Sequence, residues 1–118
     1  MTRVLVVEDE PHIAEALVFL LEREGHDATV VTDGEKALEL LSSHDLVMLD
    51  IMLPGRSGFE VAAAARTHDK PPKVCVLTAK GQTADRERMA AIGVDAFITK
   101  PFSNKALMET VRDLLAAS

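Results

Sequence analysis

An α/β fold, built as an open parallel sheet with helices on both faces, is predicted by three features of the sequence. Strand-like and helix-like stretches alternate from end to end in five β–α units, joined by short links. Residues 4–7, 46–49, 74–77 and 97–99 are short runs rich in Val, Leu, Ile or Phe, the pattern of strands covered on both faces rather than one. Turn and cap residues separate the units at the intervals such a fold requires. The expected architecture is a doubly wound, five-stranded sheet in three α/β/α layers.

Each element has its own local reason. After the first strand, Pro11 opens a helix, because its missing N–H is no loss in a first turn. Ile13, Leu17, Leu20 and Leu21 share one face of that helix, and Gly25 closes it. Residues 27–31 make a second strand. Thr32-Asp33-Gly34-Glu35 has capping-box spacing and starts a helix to about Leu41. The third strand ends at Asp50, and Pro54-Gly55 signals a turn. Ser57-Gly58-Phe59-Glu60 is a second capping box, opening a helix through Ala62-Ala63-Ala64-Ala65. Pro71-Pro72 blocks helix ahead of the fourth strand. A fourth helix is predicted over 83–92, ending before Gly93, with a weakly specified start at Ala79-Lys80-Gly81-Gln82. A short fifth strand over 96–99 leads to a last helix from near Ser103, with Leu107, Val111, Leu114 and Leu115 on one face.

Composition narrows the function classes. With 118 residues, 47% of them apolar, the chain reads as one domain, 1–118, with a single sizeable core. No apolar run reaches the ~18–20 residues of a membrane helix, and Met1-Thr2-Arg3 leads straight into a strand, so a cytoplasmic protein is expected. The lone Cys75, mid-strand, reads as a small core residue. A net charge of −6 without a basic stripe argues against direct nucleic-acid binding. His12, His26, His44 and His68 lack paired metal-ligand spacing and read as solvated.

The apolar runs lead into polar residues: Glu8-Asp9, Asp50, Thr78 and Lys100. In open sheets, ligands bind beyond the carboxyl ends of the strands. Carboxylates, a hydroxyl and an ammonium are therefore expected at one sheet edge. That grouping suits a divalent cation and a phosphoryl group.

At this point the residues resemble a family. Val6-Val7-Glu8-Asp9-Glu10, Met48-Leu49-Asp50-Ile51-Met52-Leu53-Pro54-Gly55, Leu77-Thr78-Ala79 and Thr99-Lys100-Pro101-Phe102 are similar to the receiver domain of bacterial two-component response regulators, over essentially the whole chain. The resemblance implies the chemotaxis-regulator, flavodoxin-like strand order 2-1-3-4-5, which sets Asp9 beside Asp50. It implies that Asp50 is the phosphoacceptor, taking a phosphoryl group from a histidine kinase or a histidine phosphotransfer protein. It implies Mg²⁺, or Mn²⁺ at the same donors, held by Asp9, Asp50 and the Met52 carbonyl, with Glu8 acting through water. A Glu-Asp pair replaces the more frequent Asp-Asp. Lys100 is implied to neutralise the phosphoryl oxygens and Thr78 to donate its hydroxyl. Phe97 occupies the aromatic switch position, and Lys100-Pro101 is implied to be cis.

Such a chain is a phosphoacceptor switch rather than an enzyme, catalysing only its own phosphorylation and dephosphorylation. Its output is implied at the face of helix four, strand five and helix five, toward a downstream protein or a truncated effector domain. Homodimerisation on phosphorylation would use that face. Arg88, Asp95 and Arg112 supply charges for it, but Ala96 and Ala106 stand where the winged-helix DNA-binding subfamily has acids. Met52 and Lys80 flank the path of a hydrolytic water, and bulky Met52 predicts slow self-dephosphorylation. Two other classes share some of these parts. An Asp-nucleophile phosphatase carries an acid two residues past its nucleophile, where this chain has Met52. A degenerate receiver would lack part of the set Asp9, Asp50, Thr78 and Lys100.

Overall fold

The computed structural model of the protein describes residues 2–53, 57–79 and 81–116. Five parallel strands, β1 (Arg3–Val7), β2 (Asp27–Val31), β3 (Leu46–Asp50), β4 (Lys73–Ala79) and β5 (Ala96–Lys100), form one sheet in the order β2-β1-β3-β4-β5. Between and after them run α1 (Pro11–Arg23), α2 (Gly34–Leu40), α3 (Gly58–Arg66), α4 (Thr83–Ile92) and α5 (Asn104–Ala116). The order matches the one implied above. It follows from right-handed crossovers that wind one way from β1 to β2 and the other way from β3 onward.

Both faces of the sheet are covered, which is why its strands read as unbroken apolar runs. Val4, Val6, Met48, Cys75 and Leu77 pack against Leu17, Leu20 and Leu21 of α1 and Leu107, Met108 and Val111 of α5. Their alternates Leu5, Val7, Val47, Leu49, Val74 and Val76 pack against Ala37 of α2, Val61, Ala62 and Ala65 of α3, and Met89 of α4. Cys75 is fully buried, as expected of a core residue.

The caps mostly follow the sequence. Ser57 Oγ accepts from Glu60 N–H at 3.3 Å, and Ser103 Oγ accepts from Ala106 N–H at 3.0 Å. Gly25 and Gly93 follow α1 and α4 at φ +88° and +100°, backbone angles that side chains resist. Two predictions need correction. Asp33, not Thr32, caps α2, its Oδ1 accepting from Lys36 N–H at 2.9 Å; α2 then ends at Leu40 and tightens into a 3₁₀ turn, Leu41–Ser43. His44 is not solvated but 7% exposed. That 3₁₀ turn carries its ring back over the end of α2, where Nδ1 lies 2.8 Å from the Leu40 carbonyl and 3.0 Å from Ser43 Oγ. His12 is exposed, and His26 and His68 are half-buried. The Pro54-Gly55 turn lies outside the described residues. No helix among the described residues is long and apolar enough to cross a membrane.

Candidate functional site

The carboxyl ends of β1, β3, β4 and β5 meet at one edge of the sheet. The β1–β3 adjacency, where the winding reverses, sets the residues after β1 beside the end of β3. Carboxylate oxygens of Glu8, Asp9 and Asp50 lie within 4.8 Å of one another. Glu8 is 1% exposed and Asp50 9%, whereas Asp9 faces outward.

Three crowded acids repel, so the site must supply compensation. From the end of β5, Lys100 Nζ reaches Glu8 Oε1 at 2.9 Å and Asp50 Oδ2 at 3.3 Å. The second oxygen of each acid is also held: Glu10 N–H donates to Glu8 Oε2 at 3.2 Å, and Met52 N–H donates to Asp50 Oδ1 at 3.1 Å. Burial raises the Glu8 pKa above the ordinary carboxylate value; Lys100 opposes the rise and Asp50 adds to it. Burial alone would lower the Lys100 pKa, but Glu8 and Asp50 together outweigh it and raise it. Glu10 is held below its usual value by the backbone N–H of Ile13 and His12, which it caps at the start of α1.

Thr78, next to the end of β4, is 1% exposed, and its Oγ1 has no hydrogen-bond partner among the described residues. A buried hydroxyl without a partner is a donor awaiting an acceptor. Phe97 lies in β5, partly buried against the α2–α4 side of the core, with the Arg86 guanidinium 5.0 Å from its ring centre. The Met52 side chain is 65% exposed. Lys80 lies outside the described residues, and Lys100-Pro101 is cis. A cavity of about 560 Å³ opens beside Asp9, lined by Met52, Leu53, Phe59 and Arg88 among others. Another, of about 590 Å³, lies around Thr2, His44 and Lys73 at the amino ends of the strands, away from the acids.

All-oxygen donors of this kind fit a hard divalent cation. The sequence had flagged every member of the cluster, yet three contributions were not evident from it. Lys100 bonds Glu8 more closely than Asp50. Gly58 packs so tightly that a Cβ there would stand 2.8 Å from the carbonyl oxygens of both Asp50 and Ile51. Its place inside the capping box was the only hint. Gln82 turns its side chain back to Ala79 N–H, at 2.7 Å. The charges assigned to a dimer face are engaged within the chain. Asp95 accepts from Val74 N–H at 2.8 Å and lies 3.9 Å from Arg66. Arg88 stacks 3.9 Å from the centre of Phe59, and Arg112 pairs with Glu24.

Comparison with known proteins places these features. Residues 4–112 match the response regulator receiver domain family. The sensory transduction protein RegX3 of Mycobacterium tuberculosis is 43% identical over 117 residues, which cover 98% of this chain and 51% of that protein. The chain thus spans about half the length of that relative. A response regulator from Chloroflexus aurantiacus superposes with a TM-score of 0.90 at 27% identity, covering 98% of each chain. The receiver domain of the sensor histidine kinase PA1611 from Pseudomonas aeruginosa, whose active-site cleft coordinates a magnesium ion, superposes at 0.88 over 98% of each chain. At 24% identity, that likeness speaks for the fold alone. On its family match, its curated relatives and its acidic cluster, this chain belongs to the response regulator receiver domains of two-component signalling, phosphoacceptor switches rather than conventional enzymes.

Proposed function

We propose that Asp50 accepts a phosphoryl group from a histidine kinase or histidine phosphotransfer protein, and that the whole chain, 1–118, acts as one receiver unit in the cytoplasm. The observation that carries this reading is the cluster of Glu8, Asp9 and Asp50, with the Lys100 ammonium bonded to Glu8 and Asp50, at the sheet edge where β4 brings the buried Thr78. Asp50 Oδ attacks phosphorus as the bond from phosphorus to the donor nitrogen breaks, and the electron pair leaves on the imidazole. Phosphoryl transfer through a loose transition state asks for positioning and charge compensation rather than covalent help.

Asp9, Asp50 and the Met52 carbonyl would hold a divalent cation, Mg²⁺ or Mn²⁺, with Glu8 acting through bound water. When bound, it offsets the negative charge that the acids and the phosphoryl group bring together. Glu8 suits the indirect role, since at 1% exposed it lies deeper than Asp50 or Asp9. Lys100 moves its charge from the acids to the phosphoryl oxygens, and Thr78 donates its hydroxyl to one of them. The output is a population shift at α4, β5 and α5, with Phe97 turning inward and a downstream protein or effector domain reading the change. Because Asp95, Arg88 and Arg112 already have partners within the chain, we expect that face to work without forming a dimer.

Acetyl phosphate with Mg²⁺, followed by intact mass, tests the reading. One added phosphoryl group is expected, absent in Asp50→Ala and absent when the cation is chelated. Phosphorylation of Asp50→Ala to the same extent, or steady turnover of a phosphomonoester, would overturn it.

A further inference from the structure

The link from β4 to α4 is closed in an unusual way. Gln82 is the N-cap residue of α4, yet its side chain caps nothing in that helix. Instead its Oε1 accepts from Ala79 N–H at 2.7 Å, while its own N–H donates to the Ala79 carbonyl at 3.4 Å. Its Nε2 lies 3.5 Å from Asp85 Oδ2. Between the two residues, Gly81 takes φ +86°. Two reciprocal bonds therefore pin the residue that follows Thr78.

The pinned amide is well placed to matter. The Leu77 carbonyl accepts from Ile51 N–H and so faces β3. Backbone groups two residues apart on a strand face the same neighbour, so the N–H of Ala79 is turned toward the Asp50 side. Thr78 Oγ1, one residue earlier, is a buried donor without a partner among the described residues. Meanwhile α4 is lightly anchored, with Met89 its single buried residue. The N–H at this strand end is thus taken by Gln82, next to the buried hydroxyl of Thr78 and a helix with one buried residue.

We propose that Gln82 is a latch, a positioning residue that holds Thr78 and Ala79 in the unphosphorylated arrangement and lets go when Asp50 carries a phosphoryl group. This rests on Asp50 being the acceptor. A hydrogen bond to a charged oxygen is roughly twice as strong as one between neutral groups. Phosphoryl oxygens therefore outcompete the Gln82 carboxamide for the Ala79 N–H and also engage the Thr78 hydroxyl, for which Gln82 does not compete. The freed carboxamide then meets the uncapped N–H groups of the first turn of α4, which couples loop release to the position of that helix.

The test pairs a measurement that needs no phosphoryl group with one that does. Hydrogen exchange of the Ala79 amide, read by NMR on the unmodified protein, is expected to be slow in the wild type and in Gln82→Glu, and fast in Gln82→Leu. Beryllofluoride with Mg²⁺ is expected to bind Gln82→Leu about 2- to 12-fold more tightly than the wild type, the range set by loss of one neutral hydrogen bond. Equal exchange at Ala79 in wild type and Gln82→Leu overturns the latch, as does equal or weaker beryllofluoride binding by a folded Gln82→Leu. A wild type that protects Ala79 but binds no beryllofluoride overturns the acceptor reading and the release step with it.

Discussion

Gly58→Ala tests how closely the acceptor is built into the fold. Gly58 is the first residue of α3 and is buried. An added Cβ would lie 2.8 Å from the carbonyl oxygens of Asp50 and Ile51 and 3.1 Å from the Ile51 Cα. Ordinary carbon–oxygen contacts start near ~3.3 Å, so about 0.5 Å must be found. The three nearest atoms are all backbone, at or just past the end of a central strand, so relief cannot come from a side chain swinging aside. Overpacking of this kind costs about 1–3 kcal/mol. The better helix propensity of alanine returns at most about 1 kcal/mol, and less in a first turn. The net cost is then about 0.5–2.5 kcal/mol, and for a chain of 118 residues, at about 4 °C in Tm per kcal/mol, a fall of about 2–10 °C is expected. The strain also falls on the backbone that aims the Asp50 carboxylate at Lys100, now 3.3 Å away. Acetyl phosphate should therefore label the folded variant about 10-fold more slowly, given that ~1 Å of misplacement can cost 10²-fold. Thermal melting by circular dichroism and intact mass together check both effects. A variant that melts at or above the wild-type temperature and labels at the wild-type rate would refute the argument.

Other perturbations probe separate parts of the site and core. Thr78→Val deletes a buried hydroxyl that has no partner among the described residues and should raise the unfolding free energy in urea by about 1 kcal/mol, while weakening beryllofluoride binding; a less stable variant would mean the hydroxyl is satisfied. Burial, with Asp95 adding to it, pushes the Cys75 thiol from 9.0 up to about 12. Its contribution to stability is therefore whole below pH 9 and is lost as pH rises toward 12. Between pH 8 and pH 10 the wild type should lose about 1 kcal/mol more than Cys75→Ala, and parallel pH curves would contradict that. Met52, 65% exposed beside Asp50, offers a hydrolytic water no hydrogen bond; Met52→Asn should shorten the lifetime of the phosphorylated form, read by the decay of its mass.

Local chemistry was legible in the chain itself. Apolar runs covered on both faces announced the parallel sheet, and Pro11, Gly25, Ser57 and Gly93 marked where helices begin or end, because such preferences act within a few residues. The four strand ends that carry Glu8, Asp50, Thr78 and Lys100 were visible for the same reason. The strand order came from likeness to a family, since alternation alone leaves several windings open. Packing decided the rest. The bond from Lys100 to Glu8 spans 92 positions, and the approach of Gly58 to the Asp50 carbonyl exists only once α3 lies against β3. His44 misled because a polar residue in a link reads as solvated until a 3₁₀ turn folds its ring onto the carbonyl of Leu40. Likewise, the carboxamide of Gln82 chose the strand end over its own helix. Such contacts depend on distances between segments far apart in the chain, and those distances are set only when the two cores close on the sheet.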